Sequence, residues 1–412
     1  MPRLSGIELF ELDLPFRQRF THAAAQRASS SSLFVRFSTD EECCGYGEAL
    51  PRPYVTGEER GSAFDLLAGR ILPQLLGMTF TSFDEVLEFL ARCDGKAPAD
   101  WVDAGTPQAA AWTAIDLALI DAFGRTFATQ LQRGLPPGPA AVGASDDWPS
   151  GLRYSVVLSG EGGSRAIVRL LKARAYGIRD VKVKVDRRSS AGVRLARHML
   201  GRGARIRVDS NMDWTGAEAR AAMPGLARLG VESFEQPLAA ADIEGLARLT
   251  AETGLAVIAD ESFHDAASLQ RLISARACTG VNVRIAKCGG LVAALARCRQ
   301  ALAAGLALHV GCLVGETSQL SAAQLALVHT LAAERGPAAN IDHLEGCFGE
   351  RLLRVDPVRP VLQFGYGGLP PAAPDGPGFG TRVDVDTLAR YAGRRAAFGA
   401  PIPRQAQAKE RP

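Results

Sequence analysis

Asp180-Val-Lys-Val-Lys-Val-Asp186 is an apolar run broken at every second position by a lysine, the period of a β-strand, so Lys182 and Lys184 share one face. Three short apolar runs follow, each closing on an acid. They are Ile206 to Asp209 in Arg207-Val-Asp-Ser-Asn-Met-Asp213, Ser233 to Glu235 in Phe234-Glu-Gln-Pro237, and Ala256 to Asp260 in Ala259-Asp-Glu-Ser262. Outward from this block the same strand-then-helix beat begins at Arg153 to Leu158 and continues through Gly280 to Ile285, Ala307 to Val310 and Asn340 to Asp342. Helical patterns such as Gly163 to Tyr176, Ala191 to Leu200 and Gly290 to Ala304 lie between. Eight strands at a spacing of about 25 residues predict a barrel of the (β/α)8 kind rather than an open sheet.

Upstream the pattern is different. Ile7 to Leu12, Ser32 to Ser38 and Cys44 to Leu50 alternate like antiparallel strands, and Glu59 to Leu76, Ser82 to Cys93 and Pro107 to Phe123 follow with helical spacing. This predicts an α+β domain over 1–132, a Gly/Pro/Ala-rich linker over 133–151 and a catalytic barrel over 152–365. The segment 366–412 contains a helix-like Val385 to Tyr391 and is expected to return to the first domain before a disordered polar tail.

At 412 residues the chain is too long for one ordinary core, and its 47% hydrophobic and 22% charged content is that of a soluble globular protein. The net charge of +3, with no basic run interleaved with aromatics, argues against nucleic acid and membrane surfaces as partners. The 8 cysteines form no Cys-x-x-Cys pair and read as reduced thiols. Acids at Glu8 and Glu11 interrupt any signal-peptide core, so a cytoplasmic protein is expected.

On a barrel, chemistry collects where the strands end. A single acid there is commonly a helix cap, but Asp209, Glu235 and Asp260 on successive strands, flanked by inward lysines, point to a hard divalent cation, Mg²⁺ or Mn²⁺. Lys182 and Lys184, repelling one another in one cavity, would each lose a proton more easily. Lys287, in Arg284-Ile-Ala-Lys-Cys-Gly-Gly290, is expected to end the sixth strand across the barrel from Lys184. Such a pair could take a proton from one face of a carbon beside a carboxylate and return it to the other. Adjacent strand residues face opposite ways, so Asp260 is expected as ligand and Glu261 behind it.

These residues resemble the enolase superfamily, in the muconate lactonizing enzyme subgroup of the mandelate racemase/muconate lactonizing enzyme family. Lys182-x-Lys184, Asp209-x-Asn211, Glu235-Gln-Pro237, Asp260-Glu-Ser262 and Lys287-x-Gly-Gly290 occur in that family's order, and Gly45-Tyr-Gly-Glu48 and Asp375-Gly-Pro-Gly-Phe-Gly380 also look like it. The resemblance implies an α/β fold, a modified TIM barrel, (β/α)7β, under an N-terminal α+β capping domain, with Mg²⁺ as cofactor. It implies a racemase or epimerase acting on a small-molecule carboxylate, such as an amino-acid derivative, through an enediolate. The alternative is a cycloisomerase or syn-dehydratase of the muconate cycloisomerase or o-succinylbenzoate synthase type. By resemblance, specificity comes from Phe20-Thr-His-Ala23 and Arg52-Pro-Tyr-Val-Thr56 in the cap and from Cys312 to Glu316 and Asp342 to Glu345 in the barrel. That makes Asn211, Glu261, His22, Tyr54, Cys312, Glu316 and Asp342 candidate substrate-side residues. Dipeptide epimerases of the subgroup carry Asp-x-Asp where this chain has Asp342-His343-Leu344, a departure that counts against a dipeptide substrate. A closed homo-oligomer is expected.

Overall fold

The computed structural model describes residues 1–22, 25–131, 134–135, 148–159, 163–185 and 191–402. Its first element, β1 (Leu4–His22), pairs antiparallel with β2 (Ala25–Thr39), which pairs in turn with β3 (Cys44–Ala49). Alternation gives the sheet two apolar faces. Leu33, Val35 and Phe37 face the helices of the cap, whereas Phe34 joins Phe10, Leu12 and Phe16 against Leu353 and Leu388 from the C-terminal segment.

Helices α1 (Arg60–Leu66), α2 (Leu72–Leu75) and α3 (Phe83–Cys93) lead to α4 (Ala109–Thr126), whose every residue from Ala110 to Gly124 is buried. A helix apolar on all sides belongs in a core. Ala and Gly let α4 sit directly on the sheet: a Cβ at Gly45 or Gly47 would run into the backbone of Ala122 or Ala114. The two acids on α4 are used at its borders, Asp121 accepting from Tyr46 N and Phe379 N, and Asp116 from Leu291 N.

The barrel is an eight-stranded parallel sheet: β4 (Val156–Ser159), β5 (Asp180–Lys184), β6 (Arg205–Asp209), β7 (Val231–Glu235), β8 (Val257–Ala259), β9 (Gly280–Val283), β10 (Ala307–Val310) and β11 (Ile341–Leu344), neighbouring one another in chain order. Ser155 N donates to Leu344 O at 2.9 Å and Tyr154 bridges Leu344, which brings the last strand back to the first. Seven connections carry helices: α5 (Ser164–Ala175), α6 (Ala191–Leu200), α7 (Gly216–Arg228), α8 (Ile243–Thr253), α9 (Ala266–Ala275), the pair α10 (Ile285–Cys288) and α11 (Leu291–Ala303), and α12 (Ser318–Arg335). The fold is the modified (β/α)7β barrel with an α+β cap.

After β12 (Val358–Arg359), β13 (Arg382–Val383) and α13 (Val385–Tyr391), β14 (Ala392–Gly399) adds a fourth strand to the cap's sheet beside β1. That strand is missed by a reading that goes straight from the last helix to a polar tail. Residues 403–412, for which a disordered tail was expected, lie outside the described residues, as does most of the 133–151 linker. No helix among the described residues is long and apolar enough to cross a membrane.

The cap is fastened to the loop after β10. Glu48 accepts from Thr317 N and Oγ1, Ser30 Oγ donates to Gly315 O at 2.8 Å, and buried Arg52 donates to Ser31 O and Val314 O. These bonds fix residues 52–56 over the barrel's C-terminal mouth, beside 312–316.

Candidate active site

Lys182 and Lys184 both point inward from β5, as their spacing requires, but they meet different surroundings. Lys182 Nζ is buried 2.8 Å from Glu345, 3.2 Å from Glu235 and 3.4 Å from Asp209. Burial would lower its pKa, but Glu235, Glu345 and Asp209 together raise it above the ordinary lysine range. Lys184, nearer the mouth, donates to Asn211 Oδ1 at 2.8 Å and lies 3.7 Å from Asp209. Burial lowers its pKa; Asp209 pulls it back up, and Lys182 and Arg284 push it further down.

Asp209 and Glu235 end β6 and β7, side by side in the ladder, and Asp260 follows β8. All are about 1% exposed. Asp209 Oδ1 accepts from Asn211 N, while Asp209 Oδ2 is buried with no hydrogen-bond partner. Glu235 accepts from Lys182 and from Asn282 Nδ2 at 2.8 Å; burial opposes its ionisation, but Lys182 prevails and holds it at about 2. Asp260 is taken up by Lys287 Nζ at 2.7 Å and by Arg284, whose guanidinium also lies 3.7 Å from Glu235. Among the described residues, no three acidic, histidine or cysteine side chains converge into a ready-formed cation site. Cationic side chains hold the carboxylates instead.

Lys287 was expected on the sixth strand. It sits on the helical turn α10, because β9 stops at Val283. Its ammonium is fully engaged, donating to Asp260 O, Asp260 Oδ1 and Asn282 O, with Phe263 beneath it.

A cavity of about 450 Å³ opens above these groups. Lys182, Lys184, Asp209, Asn211, Glu261, Arg284 and Glu345 form its polar floor, and Tyr54, Val55, Val156, Leu313, Val314, Phe348 and Leu352 its apolar walls; Cys312 also lines it. Tyr54 and Cys312 thus fall where expected.

Three further placements differ from expectation, and a fourth, His22, falls outside the described side chains. Glu261 lines the cavity while Asp260 lies below it: β8 ends at Ala259, so strand alternation no longer governs the pair. Burial first, then Asp260 and Asp209, push the Glu261 carboxyl up to about 7. Glu316 does not line the cavity; it is turned in to accept from Leu313 N at 2.6 Å. Asp342 is not at the mouth, because β11 runs to Leu344 and Asp342 lies near the strand's start, its carbonyl accepting from Arg205. The side chains of this strand that reach the barrel interior are His343 and Glu345. His22 lies on β1, and its side chain is outside the described ones.

The sequence reading gives no role to Arg207 or Arg284 and names Glu345 only as the end of the segment Asp342 to Glu345. Glu345 accepts from Lys182 and Arg207, and those two cations outweigh burial and hold its carboxyl at about 2. The period-two rule applied to every strand would have found them, since Arg207, Arg284 and Glu345 stand two residues from Asp209, Asn282 and His343.

Fold and site together define a capped (β/α)7β barrel of the enzyme kind, with carboxylates and lysines gathered where its strands end. A family model described as enolase C-terminal domain-like matches residues 166–387. The chain belongs to that family, within the enolase superfamily and its mandelate racemase/muconate lactonizing enzyme branch. Among its relatives, N-succinyl-L-Arg/Lys racemase of Bacillus cereus is 27% identical over 327 residues, 78% of this chain and 82% of the relative. L-Ala-D/L-Glu epimerase of Clostridium acetobutylicum is 28% identical over 337 residues, 81% and 87% of the two chains. In structure, N-succinyl Arg/Lys racemase from Bacillus cereus superposes with a TM-score of 0.80 at 24% identity, covering 96% of this chain and 100% of that one. Muconate lactonizing enzyme from Pseudomonas putida gives 0.76 at 23%, covering 94% and 99%; these superpositions speak to fold alone.

Proposed function

We propose that this enzyme is a racemase or epimerase that removes and returns the proton on the carbon beside a carboxylate of an amino-acid derivative, with Mg²⁺ or Mn²⁺ as its ion. The observation that supports the reading is strand order: Lys184 belongs to the second of the eight barrel strands and Lys287 follows the sixth, positions that stand opposite in a closed eight-stranded barrel. The names of the relatives, an N-succinyl-Arg/Lys racemase and an L-Ala-D/L-Glu epimerase, support the same chemistry.

Asp209, Glu235 and Asp260 offer an all-oxygen donor set suited to a hard cation, and Asp209 Oδ2, buried without a hydrogen bond though within ion-pair reach of Lys182 and Lys184, is the ligand atom least committed. An ion bound there would supply positive charge for the electrons that spread onto the substrate carboxylate as the proton leaves.

Lys184, whose pKa burial lowers, is the amine assigned to take the proton at Nζ. Lys182, kept protonated by its acids, binds and orients the substrate carboxylate. Lys287 carries the opposing proton and must exchange one of its three acceptors to deliver it. Apolar walls receive the rest of the substrate and exclude water. Glu345 is committed to Lys182 and Arg207 and so is not free to bind a substrate ammonium, which favours an N-acylated amino acid over a free amine. The eight free thiols suit the cytoplasm.

The test is to incubate N-acyl amino acids and dipeptides with the enzyme and Mg²⁺ in deuterated water. The expected result is loss of the α-proton signal as the opposite configuration appears on an unchanged skeleton. A lactone or a dehydrated product would replace this reading with the cycloisomerase or dehydratase alternative.

A further inference from the structure

Arg284 stands where the reaction centre should be open. It follows β9 and lines the cavity, whereas Glu235, Asp260 and Lys287 lie behind it, out of contact with the cavity. One end of its guanidinium bonds Asp260 Oδ2 and lies 3.7 Å from Glu235 Oε1, so it spans two of the three carboxylates proposed as ligands. Its Nε is buried and bonds nothing, so the side chain is held at the tip only.

The charges of the barrel interior point the same way. Asp209, Glu235, Asp260 and Glu345 are matched one for one by Lys182, Arg207, Arg284 and Lys287, all of them buried or nearly so. Glu261 and Lys184, which also line the cavity, add one acid and one cation, so the formal charges of the site balance without any metal. Adding a divalent ion while the guanidinium stays would crowd like charges into a low-dielectric interior, which is strongly unfavourable.

We propose that Arg284 is a built-in counter-ion of the Asp209–Glu235–Asp260 carboxylates, its guanidinium bridging Asp260 and Glu235 until a divalent cation displaces it toward the cavity. The inference rests on the proposed metal-dependent function. It has two consequences: Arg284 weakens metal binding by competing for the ligands, and it stabilises the metal-free fold by pairing buried carboxylates that would otherwise repel each other.

The test compares wild type with Arg284→Met after chelation, using Mn²⁺ as the probe. Affinity is read by titration calorimetry and by the electron paramagnetic resonance signal of free Mn²⁺, and thermal midpoints are recorded with and without the ion. Arg284→Met should bind Mn²⁺ about tenfold or more tightly than wild type, unfold at a lower temperature when metal-free, and gain more from added Mn²⁺. Arg284→Lys, which keeps the charge but loses the planar fork, should fall between and serves if the methionine variant does not fold. Equal or weaker Mn²⁺ affinity in the variants, with an equal loss of midpoint at all metal levels, would make Arg284 a permanent structural pair and overturn the proposal. If wild type and variants alike fail to bind Mn²⁺, the metal-dependent function falls, and this inference with it.

Discussion

The core of the cap and the interior of the barrel are equally buried and made of opposite materials. Around α4 the cap packs Ala, Gly, Leu, Ile and Phe so tightly that glycines on β3 have no room for a methyl group. Inside the barrel, strand after strand turns a charged or polar side chain inward: Lys182, Arg207, Glu235, Asn282, His309 and His343 are all under 5% exposed. Apolar close packing stabilises in proportion to the area removed from water. Buried charge is costly unless each group finds a partner, so it persists where it is used. The cap should therefore be where substitutions unfold the protein, and the barrel where they silence it.

Replacing Lys184 or Lys287 by alanine should sharpen that contrast most. Racemisation should fall by about 10²–10⁴-fold, the usual contribution of a positioned acid or base; Lys184→Ala should keep the thermal midpoint of wild type, whereas Lys287→Ala also leaves buried Asp260 without its lysine and should lower it. Glu345→Gln probes a second barrel group that also holds structure. It leaves Lys182 and Arg207 short of a counter-charge, and breaking a buried pair in this way costs about 3–5 kcal/mol, so both the thermal midpoint and turnover should drop. Gly47→Ala drives a methyl group into the Ala114 carbonyl on α4. Overpacking of this kind costs about 1–3 kcal/mol, and the contrast breaks if the variant melts like wild type or loses turnover while still folded.

The smallest effect concerns pH. Burial pushes Glu316 up to about 8 and Asp116 up to about 7, from ordinary values of 4.5 and 3.8. The folded state then holds protons that the unfolded chain has released. Stability from these groups is complete below the ordinary values and is lost as pH rises toward 8. The thermal midpoint should decline from about pH 5 to 8, and Glu316→Gln should flatten that decline; a midpoint rising over this range would contradict it.

Much of this was legible before any coordinates, because period-two and βα spacing are properties of the chain itself. The lysine pair, the acids ending β6 and β7, and Tyr54 and Cys312 on the cavity wall are found where the residues suggest. The failures have physical causes. The expected strand Asn340 to Asp342 stops short of β11, which runs on through His343, a core residue of a polar interior whose ring packs edge-on against His309 at 4.7 Å. That shortfall hid Glu345's place in the interior. Asp260 and Glu261 were sorted by an alternation that had already ended at Ala259. Strand β14 was hidden by Arg394 and Arg395, charged because they stand on an exposed edge.

In the proposed mechanism two lysines work on opposite faces of one carbon. The direct measurement is proton exchange by the single-lysine variants, following the α-proton of each separate enantiomer by NMR in deuterated water with Mg²⁺. Neither Lys184→Ala nor Lys287→Ala should interconvert the enantiomers, and the variant that keeps a working base should exchange the α-proton of one enantiomer only. Exchange of both enantiomers by either single variant would contradict a two-base mechanism.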